Sequence, residues 1–127
     1  MKGRSKGLLV GLVAIVGALF LIGVACSWGA GSDPAEETPV SGATEIRMED
    51  IAFAPANIVI DAGTTVTWTN FDNEEHTVTS DEGEELKSEL LGQGETFRHT
   101  FDTPGEYLYH CEPHSNMHGL VTVRPVP

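Results

Sequence analysis

Residues 107–117 have the sequence YLYHCEPHSNM, in which a strand-like run leads directly into a cluster of metal-binding side chains. The run up to Cys111 is rich in aromatic residues, as β-strands are. His114 follows Cys111 after three positions, and Met117 follows His114 after three more. Pro113 lies inside this segment and ends regular structure there. A thiolate, an imidazole and a thioether therefore share one short loop after a strand.

A fourth candidate ligand, His76, follows a separate strand-like run upstream. His76, Cys111, His114 and Met117 together offer one soft sulfur, two nitrogens and a weak second sulfur. This is the donor set of a blue-copper site, which is trigonal His₂Cys with a long axial Met. The thiolate suits Cu(I) and the imidazoles suit Cu(II), so the geometry changes little between the two states. We therefore expect one type 1 copper ion and no second cofactor.

Three local patterns resemble the cupredoxins, the plastocyanin/azurin type of blue copper protein. They are VTWTN with EHTV shortly after it, FRHTF with PGEYLYHC after it, and Cys-x₂-His-x₂-Met. The resemblance covers residues 45–124. The short ligand loop is similar to that of amicyanin, whereas plastocyanin and azurin have longer loops.

The resemblance implies a sandwich of eight strands, or close to eight, with copper at one end. His76, Cys111 and His114 would then be the equatorial ligands and Met117 the axial one. Thr77 stands where the family often has Asn, and its backbone N–H is expected to reach the Cys111 sulfur.

Two positions beside the cysteine bear on the hydrogen bonds around it. Glu112 replaces the usual Thr or Ser, which calls the side-chain bridge between the two ligand loops into question. Pro113 has no N–H and cannot donate a second hydrogen bond to the sulfur.

The rest of residues 45–127 predicts an all-β domain, a Greek-key β-sandwich of cupredoxin type. Residues 64–70 (TTVTWTN) alternate strictly, with Val66 and Trp68 on one face, and residues 96–101 alternate again. Further strand-like runs are residues 58–60, 76–80, 107–111 and 120–123. Residues 81–91 are predicted as an acidic loop with room for one helical turn.

Other interpretations of these side chains exist. Cys111 as a buried thiol and Met117 as core filler are the structural alternatives. His99 shares a strand face with two Phe residues and is expected to be packed or at an edge. His110 should point away from Cys111, and His118 should be exposed at the copper end. The spacing of His110, His114 and His118 also permits a zinc site with Cys111, although that site leaves Met117 idle.

The N-terminal sequence predicts an export signal and attachment to a membrane. Residues 1–25 join a basic start to an uncharged apolar run, typical of a signal peptide or membrane anchor. The basic residues precede the apolar run, which places the domain outside the cytoplasm. Residues 22–26 (IGVAC) resemble a bacterial or archaeal lipobox ending at Cys26, although an uncleaved anchor or a cleaved soluble form fits too. Residues 26–44 are predicted as a flexible linker.

The charge distribution limits the partners. All 19 acidic residues follow Cys26, where only four basic residues oppose them. Such a surface repels nucleic acid and anionic lipid. We expect a membrane-tethered monomer that meets extracytoplasmic redox proteins such as cytochromes, oxidases or dehydrogenases. A copper storage or delivery protein without redox turnover is the alternative. A multicopper enzyme would need further histidines as ligands, typically in His-x-His pairs, and the sequence contains no such pair.

Overall fold

The computed structural model describes residues 33–127, which are all β apart from one turn of 3-10 helix at Pro34–Glu36. The described strands are β1 (Val40–Ser41), β2 (Glu45–Glu49), β3 (Ala52–Ala54), β4 (Asn57–Asp61), β5 (Thr64–Asn70), β6 (Thr79–Ser80), β7 (Thr96–Phe101), β8 (Gly105–His110) and β9 (His118–Arg124). The predictions for residues 1–32, including Cys26, lie outside the described residues. No helix among residues 33–127 is long and apolar enough to span a membrane.

The strands form two mixed sheets, with the orders β1-β4-β9-β8-β6 and β3-β2-β5-β7. β2 runs parallel to β5, and β4 runs parallel to β9, so the chain crosses between sheets instead of folding as simple hairpins. The predicted β-sandwich is confirmed. The described strands number nine, close to the eight that the resemblance implied.

The core lies between the inner faces of the sheets. Val66 and Trp68 of β5 are fully buried, as the alternation of that strand predicts. The ring of Trp68 meets the ring of Tyr109 from β8 edge to face, with centroids 5.6 Å apart. Each large apolar side chain buried in this way contributes roughly 1.5–3 kcal/mol. The aromatic contact also places a rigid support two residues before Cys111.

Ordered structure begins before Glu45, inside the segment that the sequence assigns to the linker. β1 pairs in parallel with β4, with Val40 opposite Ile58. The N–H of Gly42 donates to the carbonyl of Val59 at 2.8 Å. Composition hides this strand because a two-residue edge strand in a Gly- and Pro-rich segment has no apolar alternation.

Residues 76–91 contain less regular structure than predicted. From the run 76–80, only Thr79–Ser80 joins a sheet, while His76 forms an isolated bridge with Leu91. Residues 81–91 contain no helical turn. Leu86 and Leu91 are buried in the core, so this acidic loop is fastened to the domain at two points.

Candidate metal centre

The segment from Cys111 to Met117 connects β8 to β9, which are adjacent antiparallel strands. Its backbone closes on itself. The N–H of Cys111 donates to the carbonyl of Met117, and the N–H of Met117 donates to the carbonyl of His114, both at 3.0 Å. These bonds fix the spacing of the three candidate ligands before any metal binds.

His76 lies on the other side of the site, between β5 and β6. Its backbone exchanges hydrogen bonds with that of Leu91, at 3.1 and 2.8 Å. Its side chain is fully buried, and its Nε2 lies 2.8 Å from Oδ2 of Asp72. The imidazole is therefore held from both ends, with Nδ1 left for the site.

The side chains of His76, Cys111 and His114 converge on one point. The two Nδ1 atoms are 3.1 Å apart, and the Cys111 Sγ lies 3.6 Å from each of them. The centre of that triangle is about 2 Å from each atom, close to the roughly 2.0–2.3 Å of metal–nitrogen and metal–sulfur bonds in zinc sites. Two nitrogens and one thiolate around such a point fit the trigonal plane of a blue-copper site.

Burial differs among the four predicted ligands. Cys111 and His76 are fully buried and Met117 is 1% exposed, whereas His114 is partly exposed. The site is thus closed to water except at one imidazole edge. Met117 is buried in the same core cluster as Cys111 and belongs to the same loop. Its axial role stays a prediction.

Thr77 connects the two ligand segments by two different atoms. Its backbone N–H lies 3.5 Å from the Cys111 sulfur, in agreement with the sequence-based expectation. Its hydroxyl oxygen accepts the backbone N–H of Glu112 at 2.8 Å. A bridge between the segments therefore exists although Glu112 replaces the usual hydroxyl residue. The threonine on the opposite segment supplies the oxygen instead.

The remaining histidines lie outside the triangle. His99 hydrogen-bonds Glu85 at 2.8 Å and packs edge to face on Phe101, and His110 hydrogen-bonds Asp81 at 2.6 Å. His118 is exposed. Among residues 33–127, the triangle is the one group of three His, Cys, Asp or Glu side chains whose donor atoms all lie within 4.8 Å of one another. The zinc arrangement that joins His110, His114 and His118 is therefore not assembled.

Asp72 is a contributor to the site that sequence reasoning missed. Burial raises the pKa of its carboxyl, but hydrogen bonds from the N–H groups of Ile51 and Asp50 and from His76 outweigh this effect, and the pKa lies below its usual range. The signal available in the sequence was an acidic residue four positions before His76. Several acidic residues surround His76, so spacing alone did not single this one out.

Comparison with known proteins agrees with this geometry. The family of copper binding proteins of the plastocyanin/azurin type matches residues 40–124. Amicyanin-alpha of Methylorubrum extorquens is 30% identical over 115 residues, which cover 87% of this chain and 97% of the relative. Plastocyanin of Scenedesmus fuscus is 38% identical over 86 residues, which cover 58% of this chain and 88% of the relative.

A solved structure of a purple cupredoxin from Nitrosopumilus maritimus superposes with a TM-score of 0.60 at 33% identity, covering 64% of this chain and 99% of that one. The predicted resemblance and the predicted cofactor are both confirmed. The chain therefore belongs to the copper-binding proteins of the plastocyanin/azurin family, and its cofactor is a single type 1 copper ion.

Proposed function

We propose that this protein carries single electrons between extracytoplasmic redox proteins, with copper held by His76, Cys111 and His114 and capped axially by Met117. The observation that carries the proposal is the donor triangle, because its three atoms are already at metal-binding separation. Copper in such a site alternates between Cu(I) and Cu(II). The chain's part is to hold the ligands in one geometry for both states.

The surroundings support fast transfer. Backbone hydrogen bonds close the 111–117 loop, and burial fixes the side chains of His76 and Cys111. Little can rearrange when the charge of the site changes. His114 alone among the equatorial ligands reaches the surface. Its exposed edge is the shortest path for an electron from a docked partner.

The proposed partners are redox proteins such as cytochromes, oxidases or dehydrogenases. The domain would bind them as a monomer. The loop at residues 81–85 is exposed and strongly acidic, and Lys87 forms an ion pair with Glu84 of this loop at 3.7 Å. Such a surface favours a basic partner and attracts it faster at low salt. We propose that residues 1–25 export the domain and that a lipid attached to Cys26 tethers it to the outer face of the membrane.

The alternative is storage or delivery of copper, which the same ligands and the acidic surface could serve. Full-length protein, purified in detergent, is loaded with one equivalent of Cu(II) and cycled by voltammetry, then mixed with a metal-free copper acceptor. A carrier gives a reversible one-electron wave and keeps its copper. An irreversible wave with rapid transfer of copper to the acceptor would instead establish delivery.

Localisation has its own test. Wild type and Cys26→Ala are expressed in a bacterial host, and the membrane fraction is separated and analysed by mass spectrometry. Lipid attachment predicts an added acyl mass on Cys26 in the wild type and its loss in the variant. A wild-type chain without the added acyl mass would contradict the lipid anchor. Recovery of the wild-type protein in the soluble fraction would contradict any attachment to the membrane.

A further inference from the structure

The two ring nitrogens of His76 have separate surroundings. Nδ1 faces the other two donors, at 3.1 Å from the His114 nitrogen and 3.6 Å from the Cys111 sulfur. Nε2 lies 2.8 Å from Oδ2 of Asp72. An ionised carboxylate only accepts hydrogen bonds, so Nε2 must carry the proton of the neutral ring. That tautomer leaves the lone pair on Nδ1, where a metal would need it.

Asp72 cannot easily rotate away from this contact. Its Oδ1 accepts the backbone N–H of Asp50 and its Oδ2 accepts that of Ile51, both at 2.9 Å. Its own N–H donates to the side-chain oxygen of Asn70 at 2.8 Å. Asn70 is itself buried and donates to the carbonyl of Leu91 at 2.8 Å. The carboxylate is therefore built into the fold and not a mobile surface group.

The turn that Asp72 binds is an unusual one. Glu49 and Ala52 are paired across β2 and β3, so Asp50 and Ile51 are the two central residues of the hairpin. Both have φ of 54°, the conformation of a type I′ turn, which normally takes Asn-Gly or Asp-Gly. Ile is β-branched and disfavoured at positive φ. Two hydrogen bonds to one carboxylate offset that cost.

We propose that Asp72 is a positioning residue of the copper site, which sets the tautomer of His76, aims its Nδ1 at the donor triangle, and lowers the reduction potential by its negative charge. The proposal deepens the proposed function and rests on it. Ligating histidines that donate to a carboxylate are stronger ligands, and an added negative charge favours Cu(II) over Cu(I). Asp72 also links the β2–β3 turn to His76, because one carboxylate accepts hydrogen bonds from both. The turn and the ligand therefore stabilise each other's position.

The test compares full-length wild type with Asp72→Asn and with Glu75→Gln as the matched control. Glu75 is exposed and adjacent to His76 in the chain, so its variant removes the same charge without the hydrogen bond. Asp72→Asn should weaken Cu(II) binding by roughly 10–100-fold. A loss of Cu(II) affinity about tenfold greater than that of Cu(I) raises the one-electron potential by about 59 mV. Glu75→Gln should move it much less. Equal shifts in the two variants would overturn the proposal.

A second measurement uses the metal-free wild type, so it does not depend on any variant or on copper. Nitrogen NMR of His76 should show the proton on Nε2. A proton on Nδ1 would overturn the proposal outright. If this tautomer is found but Cu(II) gives the wild type no thiolate-to-copper absorption, the proposed function fails while the positioning of His76 by Asp72 stands.

A third variant separates site effects from folding effects. Ile51→Gly relieves the turn, because Gly accepts positive φ without a steric penalty. Placed in the Asp72→Asn background, it should restore stability while the raised potential persists. A potential that returns to the wild-type value would show that the shift came from the distorted turn, and the proposal would be wrong.

Discussion

The two segments that supply the candidate ligands are built in opposite ways. Residues 111–117 supply three of them and close on themselves through backbone hydrogen bonds within the loop. Residues 71–78 supply only His76, which depends on Leu91 and Asp72, and through Asp72 on the turn at 50–51. One segment is organised by local sequence and the other by tertiary structure. The site therefore needs the whole domain, although most of its ligands lie in seven residues.

The largest expected effect comes from Cys111→Ala. The sulfur is the one thiolate of the triangle, so its removal should abolish the visible absorption of the copper-loaded protein completely. Cys111 is also buried, and Ala at this position keeps an apolar side chain of similar size, so the fold should survive. Absorption spectra before and after Cu(II) addition check this. A blue variant would mean that copper is bound elsewhere and that the local segment does not form the site.

Gly119→Ala tests the strand pair that carries the local segment. Gly119 lies opposite Tyr109, and a Cβ there would overlap the Tyr109 ring. Tyr109 is fully buried and cannot move into solvent. Overpacking should lower the free energy of unfolding by about 1–3 kcal/mol.

The matched control for this change is Gly92→Ala, where the nearest side-chain atom is the flexible end of Glu95 at 3.1 Å. Denaturant unfolding of both variants makes the comparison. Equal stability of the two would contradict the packing role of Gly119.

Met117→Leu sharpens the assignment of the axial ligand. The swap nearly conserves volume, so it should cost less than about 1.5 kcal/mol of stability. It removes the thioether, and the axial ligand tunes the potential of such a site. We expect the blue absorption to persist with a clearly altered reduction potential. A potential equal to that of the wild type would assign Met117 to the core alone.

The smallest expected effect concerns the bridge between the two segments. Thr77→Val removes the hydroxyl that accepts the Glu112 N–H. Water can reach this partly buried donor, so the loss should cost only about 0.5–1.5 kcal/mol, as for a typical hydrogen bond. Thr77→Ser keeps the oxygen and should restore most of the loss. Unfolding curves of the metal-free variants give the difference. If Val and Ser are equally stable, the bridge contributes nothing.

Sequence patterns correctly predicted the features that depend on interactions between residues close together in the chain. The strict alternation at residues 64–70 matches β5 (Thr64–Asn70), with Val66 and Trp68 buried as predicted. The Cys-x₂-His-x₂-Met spacing located the local segment because its backbone bonds join residues only a few positions apart.

Long-range contacts explain what the sequence left out. β2 and β3 were missed because their turn carries Asp-Ile where a hairpin signal would be Asp-Gly. That turn is stable because of Asp72, which is 21 positions beyond Ile51. No local pattern records such a contact. The role of Asp72 at the site was missed for the same reason. β1 was missed because its parallel partner, β4, is not its neighbour in sequence.

X-ray absorption at the copper edge of the Cu(II)-loaded full-length protein tests the central claim most directly. The donor triangle predicts two nitrogen neighbours and one sulfur at about 2.0–2.3 Å. A first shell of nitrogen and oxygen without that sulfur would contradict the site, and with it the proposal of an electron carrier.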